Sequence, residues 1–478
     1  MTPPDLYGDL PSRSRNLITY ALLACAFLGM LDGTVVGTAL PRIVEQVGGS
    51  GAWYVWLVTA YLLTSSISVP IYGRFSDLHG RRRLLLSGVA IFLAGSLACG
   101  LATSMPFLIA GRALQGLGAG ALLTLGMALV RDLHPPSRTG GLIRMQTLMA
   151  AMMIVGMIGG PLVGGLLTDH ASWRWAFLVN LPIGTVAAAA VAVLLPDRRL
   201  PGVSAGRLDA AGIALLTGGL SLVLAGLSIK GNTSRTWDDP LVLATLLAGL
   251  ALLAALVPVE RRAATPVLPP HLLRTRTYAA LLTGGFFFQL AALPAGVFLP
   301  LYLQHVRGHS ATVSGLLLLP LLVGMVVGNR ATAGLILRSG HTKPALLTGA
   351  ALLAAGSAAF FTLGQDTSPA LTGAWLLLIG LGTGPAMGGL TIATQNSVPH
   401  ADMGTATAGS MLTKQLGGTF GLACAQSLIG GTRITAAGVG GTIGWLGTVA
   451  GLLALAALLT MRDVTVGHRT PSPATTSS

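Results

Sequence analysis

The sequence predicts an all-α polytopic membrane protein of fourteen transmembrane helices, on the grounds of its composition and the spacing of its apolar segments. Of its 478 residues, 52% are hydrophobic and 9% are charged, whereas an ordinary soluble domain carries about 25% charged residues. Apolar segments of about 20 residues recur along the chain, and each is long enough to cross a hydrocarbon core about 30 Å thick. The polar segments between them are too short to be domains. These observations exclude a soluble enzyme, a disordered chain and a disulfide scaffold.

The predicted spans follow one another in chain order. They are residues 17–40, 53–73, 83–104, 107–131, 142–168, 174–196, 210–229, 240–260, 278–304, 312–337, 344–363, 371–394, 404–430 and 441–461. No small-residue cleavage site follows the first span, so it is predicted to remain as a helix and not to be removed as a signal peptide. Residues 1–16 form a cytoplasmic N-terminal tail, and residues 462–478, rich in Ser, Thr and Pro, form a disordered cytoplasmic tail.

The net charge of +14 is explained by topology. Counted over the tails and alternate loops, 20 Lys and Arg residues lie on the side of the N-terminus and 6 lie on the other side. Because cytoplasmic loops carry the excess of Lys and Arg, both termini are predicted to be cytoplasmic, which requires an even number of spans. The interpretation is a multi-pass protein of the cytoplasmic membrane, surrounded by the lipid bilayer and without a nucleic-acid partner.

An internal repeat divides the chain. A set of glycines and one proline in and after the fourth span recurs 264 residues later, and the pairs are Gly116 and Gly380, Gly118 and Gly382, Gly120 and Gly384, Pro135 and Pro399, and Gly140 and Gly404. The repeat predicts two homologous six-helix bundles, residues 17–196 and 278–461, with two inserted helices at residues 210–260 between them. Two repeated halves in one orientation are the plan of a transporter that rocks its halves about a site near the membrane midplane.

Asp32 and Arg112 are predicted to lie at compatible depths in the first and fourth spans. A carboxylate inside a span costs about 2.5–3.5 kcal/mol on insertion scales, so Asp32 needs a partner, a water-filled cavity or a proton. Burial favours the neutral acid and a nearby cation favours the carboxylate, so a cation that moves can make Asp32 load and release a proton. A permanent structural pair with Arg112 is the open alternative. Gln115 follows Arg112 by one turn on the same helix face and is a possible cavity residue.

The segment between the second and third spans contains Gly73, Asp77, Gly80, Arg81 and Arg82. Its glycines allow a tight turn and a close approach of helices. Asp77 is predicted to cap the cytoplasmic side, where the arginines can bridge it to neighbouring helices. Anchoring by positive charge alone would explain the arginines, but not Asp77 and the glycines.

The fifth span places small residues at a spacing of four, a pattern that lets helix backbones pack closely in lipid. The residues are Gly156, Gly160, Pro161, Gly164 and Gly165. Pro161 removes a backbone hydrogen bond and is expected to bend the helix. Packing without any further role is the alternative interpretation.

Arg330 and Lys414 are two further cations inside predicted spans, the tenth and the thirteenth. Arg330 can extend its guanidinium to the cytoplasmic interface. Lys414 lies nearer the middle of the membrane. Both are possible residues of a substrate cavity.

The order of these motifs resembles that of the 14-helix drug:proton antiporters of the major facilitator superfamily, the EmrB/QacA type, over essentially the whole chain. The segments that carry the resemblance are Leu31–Pro41, Gly73–Arg83, Arg112–Gly116, Gly156–Gly165 and Trp173–Gly184. Three positions depart from the family pattern. Gly37 replaces the Asn usual in the first-helix signature, Leu78 stands where the superfamily often has a basic residue, and Arg330 occupies a region that is usually small and apolar.

The resemblance implies the major facilitator fold and the export of hydrophobic or amphiphilic small molecules, driven by the entry of protons. It implies proton coupling by Asp32 and Arg112, a conformational gate at Asp77 and Arg81, and an antiporter motif at Gly156–Gly165. A proton-coupled importer or facilitator of a small solute is the alternative, which uptake of a labelled solute would distinguish. An enzyme, a metal site and a cofactor are not expected, because the spans hold no cluster of catalytic or ligating side chains.

Overall fold

The described part of the chain folds into a bundle of long helices. The computed structural model describes residues 7, 9–48, 52–134, 139–198, 210–232, 235–262, 270–399, 402–429 and 435–465. Apolar segments of this kind form helices because a helix satisfies each backbone N–H and C=O group within the segment itself.

The first group of helices precedes residue 198. It consists of α1 (Ser12–Val47), α2 (Ala52–His79), α3 (Arg81–Gly100), α4 (Met105–Leu133), α5 (Thr139–His170), α6 (Trp175–Leu178) and α7 (Asn180–Leu194). The sixth predicted span is therefore interrupted at Val179, where α6 ends and α7 begins.

Two helices separate this group from a second one. They are α8 (Ala210–Asn232) and α9 (Pro240–Arg262). The second group consists of α10 (Pro270–Leu273), α11 (Arg276–His305), α12 (Ala311–Ser339), α13 (Lys343–Ala358) with a 3₁₀ turn (Ala359–Thr362), α14 (Pro369–Met387), α15 (Gly389–Ser397), α16 (Met403–Ile429) and α17 (Ala436–Thr460). The twelfth predicted span is one apolar stretch, Pro369–Ser397, with a local break in the helix between α14 and α15, where Pro385 lacks an N–H group and Gly388 weakens the helix.

The helices are of membrane-spanning length. Eleven described helical stretches are long and apolar enough to cross a membrane, and two more apolar stretches, Trp56–Val69 and Ala211–Leu227, are shorter. The protein is therefore all-helical with about eleven candidate spans.

The repeated glycines make the same contacts in both groups. In the first, Gly116 lies against Tyr61 of α2, and Gly118 lies against Phe92 of α3. In the second, Gly380 lies against the backbone of α12, and Gly382 lies against Leu353 of α13. A side chain at any of these positions would meet backbone atoms closer than 3.0 Å. The spacing of 264 residues in the sequence thus corresponds to a repeated mode of helix packing.

The helices α8 and α9 pack as a pair through Gly219 and Gly249. The pair lies against both groups, because Val223 and Leu227 of α8 share one apolar cluster with Leu63 of α2 and with Ala423 of α16.

The two groups meet at one end of the molecule, where α1, α5 and α11 finish and α12 begins. We call it the Val47 end. The Asp169 carboxylate at the end of α5 accepts hydrogen bonds from the Ala311 N–H (3.2 Å), the Thr312 N–H (2.8 Å) and the Thr312 hydroxyl (2.6 Å) at the start of α12. The Gln304 amide of α11 donates to the Thr38 carbonyl of α1 (3.1 Å). In the structure the halves are closed against each other at this end.

Two sequence expectations differ from the structure. The segment from Gly73 to Arg83 is not an extended loop, because α2 continues to His79 and Gly80 alone, with φ of 90°, separates it from α3. The predicted C-terminal tail begins as packed structure: the Lys343 N–H donates to the Asp463 carboxylate (3.0 Å), and His341 pairs with Thr465 in an isolated bridge. Residues 466–478 lie outside the described part of the chain.

Candidate functional site: a buried carboxylate and its partners

Asp32 is the centre of a buried polar cluster in the first group of helices. Its side chain has no exposed surface. Oδ2 accepts a hydrogen bond from Arg112 Nη1 at 2.7 Å, and Oδ1 accepts from Gln115 Nε2 at 2.6 Å and from Asn180 Nδ2 at 2.9 Å. The structure thus brings together Asp32 and Arg112, which the sequence places at compatible depths. It adds Gln115 of α4 and Asn180 of α7 as further partners of Asp32.

The Arg112 guanidinium is buried among hydrogen-bond acceptors and aromatic rings. Arg112 is 1% exposed. Nε donates to the Leu57 carbonyl of α2 at 3.1 Å, and Nη1 also donates to Gln115 Oε1 at 2.7 Å. The Tyr61 ring lies with its centroid 4.1 Å from the guanidinium carbon, and that of Phe177 lies 5.7 Å away. Planar, charged and weakly hydrated, an arginine suits a buried ion pair with stacked aromatic neighbours.

Asn180 and Ser96 belong to the site although the sequence assigned them no role in it. Asn180 Nδ2 donates to the Ser96 hydroxyl at 3.1 Å, and Gln115 Nε2 donates to the same hydroxyl at 2.7 Å. Asn180 is the first residue of α7, and its amide reaches Asp32 of α1. A polar residue inside the Trp173–Gly184 segment was the available signal, but its partner on α3 could not be predicted from spacing.

The cluster is neutral in sum and fully removed from solvent. One carboxylate is matched by one guanidinium, and two amides and a hydroxyl connect α1, α3, α4 and α7. Breaking a buried pair by removing one partner typically costs about 3–5 kcal/mol, because the other charge is left uncompensated. A proton that neutralises Asp32 would leave the buried Arg112 guanidinium without a compensating charge. Because the cluster joins four helices, protonation of Asp32 is linked to how those helices pack.

The glycines of α5 lie on α1 beside this cluster. A Cβ atom at Gly156 would lie 2.8 Å from the Phe27 carbonyl oxygen, and one at Gly164 would lie 2.5 Å from the Val35 carbonyl oxygen. Gly165 faces the other group: a Cβ atom there would lie 2.6 Å from Thr312 Cα of α12. The Pro161 carbonyl oxygen would lie 2.4 Å from a Cβ atom at Gly315 of α12.

This helix therefore touches both groups at once. Gly160 lies against Thr34 of α1, two residues after Asp32, and Gly165 lies against Thr312 in the first turn of α12. A change in the packing of α1 can be transmitted to the seam between the groups without any long side chain.

The arginines after Gly80 bind the ends of neighbouring helices. Arg81 is 9% exposed and forms an ion pair with Asp132 near the end of α4. It also donates to the Ala128 carbonyl at 3.2 Å. Arg82 donates to the Ala192 carbonyl of α7. Gly73 and Asp77 are placed in α2, but their surroundings lie outside the described residues.

Arg330 and Lys414 lie in different environments. Arg330 is exposed, and α12 continues past it to Ser339. Lys414 is half-buried in α16, and its ammonium donates to the Ala386 carbonyl at 3.2 Å, beside the break between α14 and α15. Neither residue contacts the Asp32 cluster.

No group of three or more His, Cys, Asp or Glu side chains in the described ranges could hold a metal ion. The chemistry that the Asp32 cluster offers is the exchange of a proton and the rearrangement of buried hydrogen bonds.

Comparison with known proteins identifies the family. The model of the Major Facilitator Superfamily matches residues 22–422, and the chain belongs to that superfamily. It is therefore a membrane transporter and not an enzyme.

Relatives and solved structures agree with this membership. The multidrug transporter protein MdtP of Bacillus subtilis is 35% identical over 85% of this chain and 74% of its own length. The uncharacterized MFS-type transporter MT1926 of Mycobacterium tuberculosis is 34% identical over 86% of this chain, but the match spans only 58% of that protein. A crystal structure of a peptide transporter, POT, superposes with a TM-score of 0.69 over 95% of this chain and 96% of its own, at 15% identity, which is a likeness of fold.

Proposed function

We propose that this protein exports hydrophobic or amphiphilic drugs from the cytoplasm in exchange for protons, by alternating access between its two groups of helices. The observation that carries the proposal is the fully buried Asp32 carboxylate, bonded to Arg112 and in contact, through α1, with the glycine face of α5. The relative that is named a multidrug transporter supports drugs as the cargo.

The coupling follows from the hydrogen bonds of the cluster. When Asp32 is ionised, it accepts three hydrogen bonds and compensates Arg112. A proton on Asp32 removes that compensation. The guanidinium then moves toward the Leu57 carbonyl and the Tyr61 ring, because it already contacts both of them. Movement of Arg112 displaces α4 relative to α1, and α5 passes the displacement to α12.

We further propose fourteen spans with both termini in the cytoplasm, which is the subtype that the motifs resemble. The apolar stretches in α2 and α8 are short, but the helices themselves have 28 and 23 residues, and α16 has 27. At 1.5 Å per residue, each is longer than a hydrocarbon core of about 30 Å. In this orientation the Val47 end faces the outside, so the structure corresponds to a state closed to the outside.

The proposal is tested in two steps. A panel of dyes and drugs in a host without its own efflux pumps identifies exported compounds. Export of one of these is then measured in membrane vesicles under an imposed pH gradient, for the parent, Asp32→Asn, Arg112→Ala and the control Asp366→Asn, with membrane levels of each variant determined.

We expect Asp366→Asn, which changes an exposed acid in the turn before α14, to pump at the parental rate. Asp32→Asn, which resembles the protonated acid, should bind the dye and lose export driven by the gradient. Arg112→Ala should lose coupling as well. Parental export by Asp32→Asn would place the proton path elsewhere. Accumulation of the compounds by the parent under the same gradient would favour an importer.

A further inference from the structure

We infer that Lys414 forms an anion-binding subsite in the substrate cavity, so that this transporter recognises amphiphiles that carry a carboxylate or a similar acidic group. The inference rests on the proposed export function and names the chemical class of its cargo.

Among the described residues, Lys414 has no carboxylate partner. Its one hydrogen bond within the described residues is to the Ala386 carbonyl, at 3.2 Å. An ammonium has three donors, so two of them have no acceptor in the described ranges. The carbonyl dipole compensates only a fraction of the positive charge. A cation inside a membrane protein is costly unless it is paired or lies in a water-filled cavity. Asp32 cannot compensate it, because that carboxylate is matched by Arg112.

Lys414 lies near the middle of its own helix, next to a residue that contacts the other group of helices. It is the twelfth of the 27 residues of α16. The next residue, Gln415, accepts a hydrogen bond from the Ser66 hydroxyl of α2, in the first group. Substrate sites of such transporters lie near the midplane, at the interface of the repeats. On the same face of α16, one turn before Lys414, Met411 is 41% exposed, so neighbouring helices do not cover this part of the face.

Two neighbouring groups position the Lys414 side chain: a glycine beside its stem and a carbonyl at its ammonium. The stem crosses Gly285 of α11, where a Cβ atom would lie 3.0 Å from Lys414 Cγ. The ammonium reaches the carbonyl beside the break between α14 and α15. A glycine below the stem and a carbonyl at its tip position one cation among three helices of the second group. The Asp32 cluster is neutral and does not offset this charge, so the ammonium can select for an acidic ligand.

The test uses two dyes that differ in one group. Rhodamine 110 carries a free carboxylate, and rhodamine 123 is its methyl ester. Binding of each to the purified full-length protein is measured by fluorescence polarisation, for the parent, Lys414→Gln, Lys414→Arg and Lys230→Gln. Lys230 is the matched control, because it contacts Trp237 in the loop after α8 and not the seam.

We expect the parent to bind the acid at least about tenfold more tightly than the ester, which is the effect of one hydrogen bond between charged groups. Lys414→Gln should reduce the preference to less than about twofold, while Lys414→Arg and Lys230→Gln retain it. Gly285→Ala, which keeps the lysine but crowds its stem, should weaken binding of the acid more than that of the ester. Size-exclusion profiles and ester binding verify that each variant is folded.

A parent that binds the ester as well as the acid, or binds neither dye, overturns the inference, and so does a preference that survives in Lys414→Gln. Export is measured separately with the dyes under a pH gradient. If the acid binds through Lys414 but no compound is moved, the export function fails and the anion site stands. If dyes are exported without regard to the carboxylate, the anion site fails and the export function stands.

Discussion

Replacing Gly160 by alanine tests whether the glycine face of α5 is required for its contact with α1. A Cβ atom at Gly160 would lie 1.9 Å from Thr34 Oγ1, 2.8 Å from Thr34 Cβ and 3.1 Å from the Val35 nitrogen. Rotation of Thr34 relieves only the first of these contacts, and it breaks the hydrogen bond that the hydroxyl donates to the Met30 carbonyl at 3.0 Å. An added methyl group in a filled core of this kind costs about 1–3 kcal/mol.

Gly159 is the matched control, because a Cβ atom there meets nothing within 4 Å. Gly159→Ala should therefore gain about 1 kcal/mol, the difference in helix propensity between alanine and glycine. The propensity gain is common to both variants, so they should differ in free energy of unfolding by about 1–3 kcal/mol, the steric cost at Gly160 alone. Reversible unfolding in mixed micelles, titrated with sodium dodecyl sulfate and followed by circular dichroism, measures this difference. If Gly160→Ala is as stable as Gly159→Ala, the close contact between α5 and α1 is not a constraint on the fold.

Three other outcomes are expected. Asp169→Asn removes a charged acceptor from two N–H groups of α12, which costs about 1 kcal/mol. A cysteine introduced at Gln304 should then be labelled several-fold more by a membrane-impermeant maleimide. Unchanged labelling would show that the bonds of Asp169 do not hold the Val47 end closed. Asn180→Ala should lower the stability by about 1–3 kcal/mol and reduce export, whereas a loss of neither would exclude it from the site. Reporter fusions after residue 235 and at residue 470 should give an external and a cytoplasmic signal, and an external signal at residue 470 would overturn the topology.

The sequence predicted those features that depend on one helix at a time. Composition and the length of apolar segments predicted an all-helical membrane protein, and the Major Facilitator Superfamily was predicted from motif order and is confirmed by the family match. The placement of Asp32 beside Arg112 followed from depth, because a helix converts residue number into distance along its axis at 1.5 Å per residue.

Features that depend on how helices rotate and break were not predictable. The sequence does not state which face of α3 turns to α1, so Ser96 was missed. The predicted second span ends at residue 73 but α2 continues to His79, because charged side chains at a membrane interface, such as that of Asp77, continue a helix without cost to its backbone. The break at Gly388 was missed, because an apolar segment that contains Pro385 is compatible with a kinked helix as well as with an interrupted one.

The hydrogen bonds at the start of α12 make its first turn a natural reporter of the seam. The amides of Ala311 and Thr312 are bonded to Asp169 in the other group of helices, whereas the amide of Val313 is bonded to Ser310 in its own. Separation of the groups at the Val47 end would leave the first two amides free to exchange with deuterium, while the third keeps its local partner. Three consecutive residues thus carry both the signal and its internal reference, so that opening can be timed by hydrogen exchange in the unlabelled protein.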